Sequence, residues 1–146
     1  MNAAQTLIRH FHGETQAQLT LTYEARFLRR RVLTTDAGED ILLDLEQTMS
    51  LDQGDALVLD DGRHVAIKAA PEPLLEVTGS SLVRLAWHIG NRHTPCQVEA
   101  TRLLIQPDHV IRDMLGKLGA TITETVEPFT PEGGAYGHGR THSHAH

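Results

Sequence analysis

Residues 74–126 read LLEVTGSSLVRLAWHIGNRHTPCQVEATRLLIQPDHVIRDMLGKLGATITETV, and the order of apolar patterns along this stretch decides the fold. LLEVTG is short, apolar and closed by glycine, as a strand is. Leu82, Leu85, Ala86 and Ile89 then recur at helical spacing, with Gly90-Asn91 as a stop. QVEA and RLLIQ supply two further short strands. A second helix starts near Pro107-Asp108, where Asp108 can cap, and it places Ile111, Met114, Leu115 and Leu118 on one stripe. Gly119 ends that helix and ATITETV returns as a strand. The order β-α-β-β-α-β is the split βαβ, or ferredoxin-like, plan. One apolar stripe per helix suits packing on a single face of an antiparallel sheet.

Upstream the pattern is different. AQLTLTYEA alternates Leu19, Leu21 and Tyr23, and FLRRRVLTT, DILLDL, DALVLDDG and RHVAIKAA follow with DAGE, LDQGD and DDG turns between them. Short strands at close spacing predict a small β-module without a convincing amphipathic helix. Pro71-Glu72-Pro73 marks a boundary, because two prolines so close disfavour continued sheet pairing. Beyond Glu127 the chain holds Pro128, Pro131 and four glycines, a composition expected to order poorly without metal. The fold expected is therefore two-domain α+β. An all-β N-terminal domain covers 1–72, a ferredoxin-like βαββαβ domain covers 73–127, and a flexible histidine-containing tail covers 128–146.

Bulk composition narrows the function. Of 146 residues 40% are hydrophobic but only 4% aromatic, so aliphatic side chains must supply the core. A formal net charge of -6 argues against a nucleic-acid or membrane-surface role and favours the handling of cations. Arg29, Arg30 and Arg31 suggest a phosphate patch, but in so acidic a chain a solvated strand or turn is the better reading. Cys96 is the only cysteine, which excludes an intrachain disulfide. The first residues lack the apolar run of a signal peptide, and a cytoplasmic location is expected.

Histidines carry the remaining chemistry. His138, His142, His144 and His146 lie in a glycine-containing tail, the last three in the run HSHAH. Neutral imidazoles suit nickel, copper, zinc and cobalt, and such a tract reads as metal binding of an exchangeable kind. His88 and His93 flank the end of the first helix, with Gly90 free to release the backbone between them. A lone loop histidine is usually a polar surface residue, so spacing alone leaves His93 open. His109 stands in the first turn of the second helix, compatible with weak metal binding. His10 and His12 share a possible strand face without a third partner, and His64 lies in a strand. Cys96 next to Pro95 reads as a buried, unreactive thiol rather than a ligand.

The runs WHIGNRHTPCQVE, DHVIRDMLGKLGA and EPFTPEGGAYGHG, the boundary AAPEPLLEV and the terminal HSHAH closely resemble the UreE family of urease accessory proteins. That resemblance covers most of the chain. It implies a dimeric nickel metallochaperone, not an enzyme, with a β-rich domain often described as peptide-binding and a second domain through which members pair. It implies that the histidine closing GNRH, His93, is the central ligand, shared by two copies across a two-fold axis. It further implies that His144 and His146, then His142 and His138, supplement the metal, with His109 as an auxiliary position. Nickel(II) is the expected cargo, with zinc(II) and copper(II) as further binders. The urease GTPase accessory protein and the apo-urease maturation complex are the expected partners, with higher oligomers through metal left open. The rival reading is a nickel or zinc store without a delivery role.

Overall fold

A computed structural model describes residues 1–134 of the chain. It divides into two compact units, Met1–Ala70 and Pro71 onward. Among the described residues no helix is long and apolar enough to cross a membrane.

The first unit is a six-stranded mixed sheet. Its strands are β1 (Asn2–Ile8), β2 (Ala17–Leu21), β3 (Phe27–Thr34), β4 (Asp40–Ser50), β5 (Ala56–Leu59) and β6 (His64–Ala69), in the order β2-β6-β5-β1-β4-β3. β1 pairs with β4 and β2 with β6 in parallel; the other neighbours are antiparallel. Alternation puts Ile41, Leu43 and Leu45 of β4 inward, together with Leu19, Leu57, Val65 and Ile67. Asp36, just past β3, accepts a hydrogen bond from Thr20 N (3.1 Å), and its own N–H donates to Gln18 O (2.8 Å). The two outer strands of the sheet are thus joined at one point, and the sheet curls. Arg26 is buried in the turn between β2 and β3, donating to Leu51 O (2.9 Å) and Leu21 O (3.0 Å). Such a charge is tolerated because carbonyls satisfy its fork. β1, whose AAQTLI lacks clean alternation, was not among the expected strands.

The second unit contains β7 (Pro71–Thr78), α1 (Leu82–Asn91), β8 (Cys96–Val98), β9 (Leu103–Ile105), α2 (His109–Lys117) and β10 (Thr121–Pro128). Its sheet runs β10-β7-β9-β8, antiparallel throughout. This is the expected βαββαβ plan. Leu85 and Ile89 of α1 and Ile111 and Leu115 of α2 pack with Leu75, Val77, Leu103 and Ile105 into one core. Asp108 accepts from Val110 N (2.9 Å) and Ile111 N (3.1 Å), the predicted cap. Gly119, at φ 87°, takes the left-handed turn that ends α2.

Two expectations change. Pairing does not stop before Pro71-Glu72-Pro73: β7 begins at Pro71, which lies opposite Pro128, while Pro73 lies opposite Val126. The prolines share strand parity, so both missing N–H groups fall on one side of β7. β9 reaches only to the Leu75–Ile105 pair, so that side has no ladder neighbour there. Residues 129–132 are also more fixed than their composition suggested. Phe129 is fully buried, Thr130 N donates to Gln97 Oε1 (2.8 Å), and Glu132 N donates to Cys96 O (2.8 Å). The bonds carry residues 129–132 from the β10 edge of the sheet to the β8 edge.

Candidate metal centre

α1 delivers His93 to the surface. The helix closes with Arg92 at φ -95°, and His93 follows at φ 56°, in the left-handed region. His93 N donates to Gly90 O (2.9 Å) and Thr94 N to Ile89 O (3.4 Å), which satisfies the last carbonyls of the helix. Glycine is the usual occupant of that position; an L side chain there costs about 1–2 kcal/mol. His93 is exposed there, and among the described residues it shares a positive φ with only one other non-glycine residue, His10. The helix ends at Asn91, at the expected Gly90-Asn91 stop, with Gly90 in its last turn.

The same helix has an unexpected outer face. Val83 is 85% exposed and Trp87 63% exposed, and Gly90 follows at helical spacing on the same side. A Cβ added at Gly90 meets nothing within 4 Å, so the glycine is not required by packing among the described residues. The sequence contains this stripe at i, i+4 and i+7, but the buried stripe at Leu82, Leu85, Ala86 and Ile89 draws attention first. His88 is half-buried and meets the Trp87 ring edge-on at 5.0 Å between centroids.

The remaining candidates are dispersed. His109 is exposed as the first residue of α2. His10 and His12 do not share a strand face, since β1 ends at Ile8 and His10 sits in a turn at φ 50°. His64 opens β6 and stacks on Phe11 at 4.6 Å. His138, His142, His144 and His146 lie outside the described residues. Among the described residues no three His, Cys, Asp or Glu side chains gather into a group that could hold a metal ion. Cys96 is half-buried; burial, and then the charge of Glu132, pushes its thiol up to about 11.

An ion network beneath this region fixes the point where the tail begins. Arg102, just before β9, bonds Glu127 bidentately (2.7 and 2.6 Å), Glu76 (2.9 Å) and Glu99 (2.9 Å). It ties β7 and β10 to the β8–β9 turn, and Gln97 Nε2 joins it through Glu99 (2.7 Å). The Arg102 guanidinium, and then the Thr125 hydroxyl, hold the Glu127 carboxyl down to about 2, from an ordinary 4.5. A depressed carboxylate contributes stability that is present above about pH 4.5 and lost as pH falls toward 2. The expected result is that Glu127→Gln flattens the fall of the thermal midpoint between those values. An acid limb identical to wild type would remove Glu127 from this role.

Known proteins agree with this architecture. Residues 2–70 match the family model described as the UreE urease accessory protein N-terminal domain, and residues 72–146 match that of its C-terminal domain. The chain is 59% identical over 97% of its length to the urease accessory protein UreE of Ruegeria sp. strain TM1040, covering 84% of that protein. It is 64% identical over 92% of its length to UreE of Ruegeria pomeroyi, covering 90% of that protein. UreE of Cereibacter sphaeroides is 55% identical over 92% of this chain, which covers 73% of it. Two family models spanning both units, together with relatives of this similarity, show that the chain belongs to the UreE family of urease accessory proteins, which are not enzymes.

Proposed function

We propose that the chain is a nickel(II) carrier for urease maturation, whose anchoring ligand is His93 contributed twice across a homodimer. One observation carries this reading: His93 is exposed and held in a left-handed conformation at the end of a helix whose outer face is apolar and open. Val83 and Trp87 on two copies can cover one another, and Gly90 lets the partner backbone come close. An isologous pairing along α1 then places the two His93 side chains near the axis, turning one imidazole into two. The domain that follows the Pro71 boundary is the metal-binding and pairing half, and the β-domain is the partner-binding half.

Two imidazoles leave positions for the tail. Glu132 is bonded to Cys96, three residues from His93, so the tail departs from β8 beside the anchor. His138 is six residues beyond Glu132 and His146 fourteen, reaches of up to about 20 and 50 Å when extended. His144 and His146, then His142 and His138, close over the metal and exchange, with His109 auxiliary. Zinc(II) and copper(II) suit the same donors. An anchor that stays bound while mobile ligands swap lets the metal leave in steps.

Delivery is tested with apo-urease and its GTPase accessory protein. The nickel-loaded chain is expected to activate urease, and truncation after Gly137 to slow activation while His93 still binds metal. A loaded chain that retains nickel and leaves apo-urease inactive in the complete mixture would make it a store.

A further inference from the structure

The arginine triplet of β3 has no part in the metal site. β3 is an outer strand of its sheet; among the described residues its ladder pairs it with β4 alone, so short of the Asp36 contact with β2 its other side presents backbone N–H and C=O groups. Arg29, Arg30 and Arg31 are all exposed. Other arginines of this unit are engaged: Arg9 with Asp52 and Asp55, Arg26 with backbone carbonyls, and Arg63 with Glu39 and Asp61. Arg30 makes one long contact with Asp44 (3.5 Å), its side chain still 60% exposed. The triplet groups three guanidiniums on a chain of net charge -6, with Asp44 and Glu46 of β4 beside Arg29.

An edge merely guarded against aggregation carries charge and hides its apolar residues. Here Phe27 (42% exposed) and Val32 (50% exposed) flank the arginines. We propose that the outer edge of β3, in the half read above as partner-binding, binds an extended acidic segment of another protein by strand addition, with the exposed Arg29, Arg30 and Arg31 gripping its carboxylates around the register irregularity between Leu28 and Arg30. Backbone pairing supplies register, and each guanidinium fork suits a carboxylate. Nucleic acid fits less well: it offers no strand to pair, and three arginines on so acidic a chain neutralise few phosphates.

The test uses the full chain and a capped eight-residue peptide alternating threonine and glutamate, matching the eight residues of β3. Expected are protection of alternate β3 amides from hydrogen exchange and at least tenfold weaker binding to R29E/R31E. The same loss is expected with a peptide N-methylated on alternate amides, a probe that leaves the protein unaltered. Equal binding of the lysine-for-glutamate peptide, full affinity of the methylated peptide, or protection elsewhere than β3 would overturn the proposal. Tighter binding of a short single-stranded oligonucleotide at the same residues would also overturn it, in favour of a phosphate site.

Discussion

Replacing His93 with glycine is expected to remove the tightest nickel(II) site while leaving stability within about 1 kcal/mol of wild type. The two effects separate because they have different origins. The left-handed backbone at residue 93 is one that glycine adopts without strain, offsetting the greater freedom glycine gains in the unfolded chain. Metal affinity has no such compensation. In a dimer the substitution deletes two imidazoles at once, and nickel binding by calorimetry should weaken by about a hundredfold, roughly 2.7 kcal/mol. His93→Ala should lose the same affinity while keeping the backbone strain. Truncation after Gly137 should instead leave the anchor in place and lower the number of nitrogen ligands seen by X-ray absorption. Retention of the tightest site in His93→Gly would transfer the anchor to another histidine.

The second large effect is on pairing. Val83 and Trp87 are exposed at 85% and 63%, so V83D/W87D removes little from the core of the single chain. Across a two-fold contact each residue counts twice, and burying an aliphatic side chain is worth about 1.5–3 kcal/mol. The dimer dissociation constant is expected to rise by about a thousandfold, roughly 4 kcal/mol, with thermal unfolding little changed. Sedimentation at micromolar concentration should then show a monomer, and nickel affinity should fall to nearly that of His93→Gly although His93 is intact. A dimer that survives this double substitution would place the pairing surface elsewhere.

The ferredoxin-like half was legible because its signals are local. Leu85, Ile89, Ile111 and Leu115 mark two helices by period, Asp108 caps the second, and Gly79 and Gly119 break the pattern after β7 and α2. Pro71 and Pro73 misled because proline's effect on a sheet depends on which side its missing N–H faces. That is a property of β9's length rather than of the dipeptide. The anchoring of Thr130 and Glu132 was hidden for a similar reason: their partners, Gln97 and Cys96, lie more than thirty residues away. For the site, His93 was identifiable by family resemblance but not by spacing. Its left-handed φ and the open Val83–Trp87–Gly90 stripe are what give the reading a physical basis in this chain.

The most direct measurement is a nickel-loaded crystal with anomalous scattering recorded at the nickel edge. The strongest peak is expected on a two-fold axis, between the His93 imidazoles of two chains packed along α1. A strongest peak held by tail histidines alone, with no density bridging His93, would contradict it.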